Sequence, residues 1–190
     1  MDLKAFLQGE LPIVKGKGFA GFIEAPPKKP LIGAVDGYAL AGGMEIATAC
    51  DLLVANSQAK FGIPEVKRAL VAAGGGLLSL PAIMGKRIAM ELALTGDFFS
   101  AQRAYEVGFV NRITEGAAVE GALELAAIVA ANGPLALIAS KRILNERGDW
   151  SSAEMWKKQA EIAMPVMLSK DSKEGALAFA EKRKPNWQGE

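Results

Sequence analysis

Residues 29–65 read KPLIGAVDGYALAGGMEIATACDLLVANSQAKFGIPE, and this stretch decides the fold. Two apolar runs in it, residues 31–35 and 52–55, predict buried strands. Between the runs, residues 37–43 predict a turn and residues 43–49 predict a short helix. A strand, a helix and a second strand in this order are typical of an α/β fold.

Two glutamates lie near the ends of these predicted elements. Glu45 is in the first turn of the helix, and Glu65 follows the tight segment Phe-Gly-Ile-Pro. Carboxylates at the ends of rigid elements are typical of an acid/base site. Gly42 and Gly43 would let a ligand approach the backbone closely, so that a free amide could polarise a carbonyl oxygen. On spacing alone, however, a tight turn and a glutamate that compensates the helix dipole are the more common explanation.

Composition excludes several kinds of chemistry. The chain has no histidine, so it cannot form a Ser-His-Asp triad, a Cys-His pair or a histidine metal site by itself. Proton transfer near neutral pH must then use a carboxylate, lysine, tyrosine or cysteine whose pKa is shifted. This favours the two glutamates as the reactive groups.

The bulk properties predict a globular protein. The 190 residues are 51% hydrophobic and carry a net charge of +1, which suggests neither nucleic acid nor an anionic membrane as a partner. No apolar run has the length of a membrane span. The single cysteine, Cys50, suits a reducing compartment, and we therefore expect a cytoplasmic protein.

A glycine-rich motif and the C-terminal region complete the pattern. Residues 16–21 match G-x-G-x-x-G, but Pro26 ends the short helix predicted at residues 19–24, so a mobile loop is favoured over a dinucleotide-binding oxidoreductase. From residue 115 onward the pattern is helical. Asp171, with a glutamate three residues later, predicts the N-terminal cap of the last helix.

Three segments together resemble the enoyl-CoA hydratase/isomerase (crotonase) family. These segments read KPLIGAVDGYALAGGMEIATACDLLVA, AKFGIPEVKRAL and GKRIAMELALTGDFFSAQRAYEVGFVNRI, and the ending FAEKRKPNWQG is also similar. The resemblance extends from residue 1 to about residue 189. It implies an α/β crotonase (ClpP-like) spiral of ββα units, of which residues 1–114 form the C-terminal part. It also implies a helical region at residues 115–190 that serves in oligomerisation and covers the active site.

The resemblance also implies roles for individual residues. Glu45 and Glu65 match the two catalytic glutamates of the hydratases, one activating water for attack at C3 and the other exchanging the proton at C2. Gly42 matches an oxyanion donor to the thioester carbonyl, and Met1 falls at the position of the second donor. The residues expected to contact substrate are Leu40, Gly43, Ala73 and Lys182.

The implied function is an enoyl-CoA hydratase, a lyase of fatty acid metabolism. It would use no metal or other cofactor, because coenzyme A is part of the substrate, and it would assemble as a homotrimer or a pair of trimers. The family segment that precedes Met1 is not in this sequence, so the chain is expected to be either a piece of a longer enzyme or a short form with an altered site. The alternatives are an isomerase, another crotonase-type acyl-CoA lyase, and a catalytically silent assembly or acyl-CoA-binding subunit.

Overall fold

The computed structural model describes residues 3–190, which form two compact units. The first unit contains the described residues of Met1–Pro27 together with Leu31–Glu124. The second contains Lys28–Pro30 and Leu125–Glu190. Strands and helices alternate in the first unit, whereas the second is helical, and the predicted α/β class is thereby confirmed. The division at residue 114 and the roles assigned to the two parts stay predictions.

The first unit holds all the strands of the described chain. Its helices are α1 (Leu3–Leu7), α2 (Gly42–Thr48), α3 (Gly76–Met84), α4 (Lys86–Thr95), α5 (Ala101–Glu106) and the start of α6 (Ala118–Ala130), with a 3-10 helix at Pro64–Arg68. Its strands are β1 (Ile13–Val14), β2 (Gly18–Phe19), β3 (Ile32–Val35), β4 (Tyr38–Leu40), β5 (Leu52–Asn56), β6 (Lys60–Gly62), β7 (Phe99–Ser100) and β8 (Arg112–Thr114).

The strands form two three-stranded sheets and one hairpin. In the first sheet, β5 lies between β3 and β8 and is parallel to both. In the second sheet, β6 lies between β4, to which it is parallel, and β7, to which it is antiparallel. Strands β1 and β2 pair with each other as an antiparallel hairpin. Strands β3 to β6 thus alternate between the two sheets, because β3 and β5 belong to one while β4 and β6 belong to the other.

The core of the first unit is built around three phenylalanines. The ring of Phe61 in β6 lies 5.7 Å from that of Phe99 and 5.5 Å from that of Phe109, measured between ring centroids. Met44 of α2 and Leu80 of α3 are fully buried in the same cluster. Burial of such side chains stabilises the fold by roughly 1.5–3 kcal/mol each, so α2 and α3 are anchored in this core.

Two local predictions were wrong in the first unit. Residues 37–43 contain the strand β4 rather than only a turn. Its three residues pair with β6 in the register Tyr38 to Lys60, Ala39 to Phe61 and Leu40 to Gly62. Residues 19–24 are not a helix: Phe19 ends β2, and the following residues form turns.

The second unit consists of helices followed by an extended tail. It contains the end of α6, then α7 (Pro134–Glu146), a 3-10 helix (Arg147–Asp149), α8 (Met155–Met167) and α9 (Lys170–Ala180). The tail folds back onto α9. The indole N–H of Trp187 donates to the carbonyl of Ala131 over 2.9 Å, and Arg183 donates two hydrogen bonds to Glu174, which lower the pKa of that carboxyl to about 2.

The predicted cap of the last helix was wrong. Ser169, not Asp171, caps α9, because its hydroxyl accepts a hydrogen bond from the Ser172 amide. Asp171 is buried, and its carboxylate accepts hydrogen bonds from the amides of Gln188 and Gly189 at 2.7 and 2.9 Å. The aspartate therefore fixes the tail instead of starting the helix.

In the part of the chain that the structure describes, no single helix has the length and apolarity needed to cross a membrane. The segments Ala118–Ala130 and Pro134–Asp149 meet that test of length and composition only when taken together, as a pair with a sharp bend between them.

Candidate active site

The paired strands β4 and β6 bring the two predicted glutamates to one edge of the second sheet. The strands are parallel, so their C-terminal ends lie side by side, with Leu40 opposite Gly62. Just past these ends, the amide of Ala41 donates to the carbonyl of Gly62 over 3.0 Å. Helix α2 begins after β4, and the 3-10 helix with Glu65 begins just after β6. Strand β4, which the sequence pattern did not predict, is therefore the element that brings the two glutamates to the same edge.

Glu45 is a buried carboxylate with little freedom. Glu45 is only 5% exposed, and its Oε1 accepts a hydrogen bond from the Gly76 amide over 3.2 Å. A Cβ added to Gly74 would lie 2.6 Å from Oε2, and one added to Gly76 would lie 3.0 Å from Cγ. Real Cβ atoms do not approach this closely, so the glycines at 74 and 76 make room for the carboxylate.

Glu65 has a different environment. Pro64 starts the short 3-10 helix, and Glu65 follows it. Its Oε2 is buried and has no hydrogen-bond partner within the described part of the chain. Burial raises the pKa of the Glu65 carboxyl above its ordinary value of 4.5, a hydrogen bond from its own backbone amide opposes this, and the nearby Glu45 carboxylate raises it further. The two carboxyls are therefore close enough to influence each other but are held by unlike surroundings.

The backbone amide of Gly42 is available to a ligand. Among the hydrogen bonds made between described residues, none uses this amide, whereas the carbonyl of the preceding residue, Ala41, accepts from the Glu45 amide over 3.1 Å. Gly42 also lines the same cavity as the two glutamates. An amide in this position can donate to an oxygen atom that develops negative charge.

The glutamates line a largely apolar cavity of about 840 Å³. Of the residues predicted for the site, Gly42, Glu45, Glu65 and Ala73 line it. Leu40 and Gly43 adjoin this group in sequence but are not among the lining residues. Lys182 belongs to the second compact unit, and Met1 lies outside the described residues.

Several lining residues were not predicted. They include Phe19, Ile23 and Glu24 from the hairpin region, and Gly74 and Gly75 from the loop before α3. The run of three glycines was a visible signal, because such a run allows a close approach of the backbone to another group. Phe19 carried no comparable signal, since its place depends on how the hairpin packs.

No group of three or more histidine, cysteine, aspartate or glutamate side chains that could hold a metal ion is present among the residues described.

Comparison with known proteins decides the family. A profile of the family described as Enoyl-CoA hydratase/isomerase matches residues 25–190. The chain belongs to the enoyl-CoA hydratase/isomerase family. The family resemblance seen in the sequence, and the crotonase fold that it implies, are thereby confirmed.

Individual relatives within the enoyl-CoA hydratase/isomerase family agree with this assignment. The chain is 38% identical to a carnitinyl-CoA dehydratase of Proteus mirabilis (strain HI4320) over 99% of its own length and 75% of that protein. It is 44% identical to the enoyl-CoA hydratase EchA19 of Mycobacterium tuberculosis over 84% of its length and 60% of that protein. Its structure is similar to that of an enoyl-CoA hydratase from M. tuberculosis H37Rv, with a TM-score of 0.97 and 57% identity, covering 100% of this chain and 75% of the other.

Proposed function

We propose that this chain is an enoyl-CoA hydratase, a lyase that adds water with syn geometry across the 2,3 double bond of an enoyl-CoA thioester. One observation carries the proposal: two carboxyls in unlike environments line one cavity together with a free backbone amide. Hydration needs all three groups, namely a base for water, an acid for carbon and a donor for the carbonyl oxygen. The relatives named above as hydratases and dehydratases support the same reaction class.

Gly42 is proposed to hold the thioester carbonyl. When water attacks C3, negative charge moves through the conjugated system to the carbonyl oxygen, which becomes enolate-like. A preorganised donor to that oxygen is worth about 3 kcal/mol of transition-state stabilisation. The Gly42 amide lines the cavity and has no partner among the described residues, so it can make this bond without first breaking another.

The two glutamates are proposed to divide the proton transfers. Glu45 is held in place by the hydrogen bond from the Gly76 amide to Oε1, and it is proposed to take a proton from water as the water oxygen bonds to C3. Glu65, whose pKa is raised by burial, holds its proton more readily than an exposed glutamate and can pass it to C2. Water thereby contributes OH at C3 and Glu65 contributes the proton at C2. Glu45 then releases the proton it took from water and Glu65 regains one, by exchange with solvent, so that both starting states return and no electrons are gained or lost overall.

The proposed chemistry uses no cofactor beyond the coenzyme A of the substrate, because hydration is a proton transfer and an addition without net oxidation. Of the substrate-contacting residues, Ala73 lines the cavity, while contacts at Leu40, Gly43 and Lys182 remain part of the proposal. Met1 as the second oxyanion donor also stays a prediction.

The test is hydration of crotonyl-CoA, followed as loss of the enoyl-thioester absorbance. We expect Glu45→Gln and Glu65→Gln each to lower kcat by about 10²-fold to 10⁴-fold, the usual contribution of a positioned acid or base. Glu24→Gln is the matched control, since Glu24 is a third carboxylate at the same cavity and has no role in the proposed steps. Equal loss in all three variants would contradict the proposal.

The same variants separate the alternatives. An isomerase that depends on Glu65 alone would retain the transfer of a double bond from the 3 to the 2 position after Glu45→Gln. A silent acyl-CoA-binding subunit would bind crotonyl-CoA without turnover, and both glutamine variants would then leave the result unchanged.

Assembly into a homotrimer or a pair of trimers is also proposed. The second unit presents several large apolar side chains to solvent, among them Trp156 at 72% and Leu168 at 71% exposure. Large exposed apolar surfaces in a globular protein are typical of interaction sites. The cytoplasmic location and the place in fatty acid metabolism stay predictions from the sequence and the family resemblance.

A further inference from the structure

The glycine-rich motif at residues 16–21 forms the hairpin β1–β2 and the turns after it, and no step of the proposed reaction uses it. Gly18 has a φ of +71°, and a Cβ there would collide with the side chain of Glu24. The next residue but one, Ala20, has a φ of 54°, and its amide donates to the carbonyl of Pro12 over 2.9 Å. The motif thus folds the backbone sharply on both sides of Phe19 and fixes the place of that one side chain.

The ring of Phe19 packs against two glycines of the candidate active site. A Cβ added to Gly42 would lie 2.5 Å from Cζ of the ring and 3.1 Å from Cε1. A Cβ added to Gly74 would lie 3.1 Å from Cδ1. The ring therefore reaches from the backbone of the proposed oxyanion donor to the backbone of the loop before α3.

Glu45 borders the same small space. The position that a Cβ on Gly74 would occupy is 3.1 Å from Cδ1 of Phe19 and also 2.6 Å from Oε2 of Glu45. The edge of the aromatic ring and the carboxylate thus both border the space in front of Gly74. The other oxygen of Glu45 is held by the Gly76 amide. The carboxylate is consequently bounded by a hydrogen bond at Oε1 and by an apolar ring near Oε2.

We propose that Phe19 is a positioning residue, which holds the Glu45 carboxylate in the orientation that accepts from Gly76 and keeps bulk water away from Oε2. The catalytic part of this inference rests on the proposed hydratase function, whereas the positioning part does not. Removing the ring would leave space in which the glutamate can change rotamer and a second water can enter. Catalytic groups must be held to within about half an ångström, and a misplacement near 1 Å can cost about 10²-fold in rate.

The test compares Phe19→Ala with Phe22→Ala. Phe22 is a matched control, because it lies three residues away in the same region, is also partly buried, and is not among the residues that line the cavity. Phe19→Leu serves as the conservative variant, since leucine restores part of the apolar volume. The first readout is hydrogen exchange of the Gly76 amide in the ligand-free full chain, measured by NMR, and the second is kcat and KM for crotonyl-CoA.

We expect Phe19→Ala to speed exchange of the Gly76 amide by about tenfold or more and to lower kcat by about 10-fold to 10²-fold, with KM changed by less than about twofold. Phe19→Leu should recover a large part of both losses, and Phe22→Ala should change neither. A residue that only lined the acyl pocket would not lower kcat while leaving KM unchanged.

Three outcomes would overturn the inference. A rise in KM with unchanged kcat and unchanged Gly76 exchange would make Phe19 only a wall of the cavity. Equal losses in Phe19→Ala and Phe22→Ala would make its effect one of general stability. Unchanged Gly76 exchange would contradict the positioning role even if the wild-type chain did not hydrate crotonyl-CoA, so failure of the proposed function and failure of this inference are distinguishable.

Discussion

Ala41, between β4 and α2, has a backbone conformation that alanine rarely adopts. Its φ of 51° and ψ of −125° lie in a region that glycine populates and that costs other residues about 1–3 kcal/mol. The conformation turns the chain from the end of β4 directly into Gly42, which lines the cavity. The strain is thus located where the backbone must present the proposed oxyanion donor.

Ala41→Gly should relieve this strain. We expect the free energy of unfolding to rise by about 1 kcal/mol, because the backbone strain that is relieved exceeds the additional conformational entropy that glycine loses on folding. Urea denaturation of the two proteins measures the difference. Ala49→Gly is the control, since Ala49 has ordinary helical angles (φ −82°, ψ −7°) and should lose stability on the same change. A destabilised Ala41→Gly variant would contradict the prediction.

Glu65 should make the stability of the fold depend on pH. Its folded-state pKa lies above 4.5 because of burial, so the folded chain binds the proton more tightly than the unfolded chain does. Glu65 therefore contributes to the stability of the fold below pH 4.5, and this contribution is lost as the pH rises through the raised pKa. Glu65→Gln removes the titration, and we expect its Tm relative to the wild type to increase from pH 4 to pH 8. A Tm difference that is constant over this range would contradict the prediction.

At the scale of elements, the C-terminal tail is fixed to α9 by one buried carboxylate. Asp171 accepts the amides of Gln188 and Gly189, and its own amide donates to the carbonyl of Glu190 over 3.0 Å. Nearby, the ring of Trp187 packs on Gly175, where an added Cβ would lie 3.2 Å from the ring. The tail therefore packs as a part of the helical unit.

Asp171→Asn should loosen this arrangement. The amide group keeps one acceptor oxygen but loses the charge and gains a donor that faces backbone N–H groups. Hydrogen bonds to charged groups contribute about 1.5–3 kcal/mol each, so we expect a loss of about 2 kcal/mol in the free energy of unfolding. Limited proteolysis at the tail should quicken in parallel. Asp149→Asn is the control, because Asp149 is an exposed aspartate of the same unit and should change little.

The elements also show where sequence patterns are informative. The apolar runs of β3 and β5 are local features, and local patterns predicted them. Strand β4 has only three residues, and only its pairing with β6 makes it a strand. Asp171 matched the pattern of a helix cap, but its carboxylate instead accepts a hydrogen bond from the tail. Tertiary contacts decided each case in which the local pattern was misleading.

The site itself was predictable to the extent that it is local. Glu45, Glu65 and Gly42 stand in short segments that the sequence and the family resemblance identify, and the structure brings all three to one cavity. Phe19, Gly74 and Gly76 reach the site from segments up to 31 residues from Glu45, as the bond from the Gly76 amide shows. No periodicity within a segment encodes such contacts, so they could not be predicted from the sequence pattern.

At the scale of the whole molecule, the exposed apolar side chains of the second unit predict self-association. We expect the purified chain to have a mass that is a multiple of 20.0 kDa, with three or six copies, in light scattering after gel filtration. Trp156→Gln should shift the population toward smaller species, because it removes the apolar surface of a side chain that is 72% exposed. Lys157→Gln is the matched control on the same helix, since it introduces the same residue at an exposed polar position. A monomeric wild type at micromolar concentration would contradict the prediction.

The packing of Phe19 on Gly42 and Gly74 has a consequence for how this protein can change over generations. An alanine at position 42 would place its methyl group 2.5 Å from the Phe19 ring, and an alanine at position 74 would place its methyl group 3.1 Å from the ring and 2.6 Å from Oε2 of Glu45, so a neighbouring side chain must move in each case. Neither alteration is therefore available as a single neutral step. A smaller residue at position 19 would make room for alanine at position 42, whereas alanine at position 74 would also require the Glu45 carboxylate to move. The three positions are expected to be inherited as a set, and variation at one of them should be accompanied by variation at another.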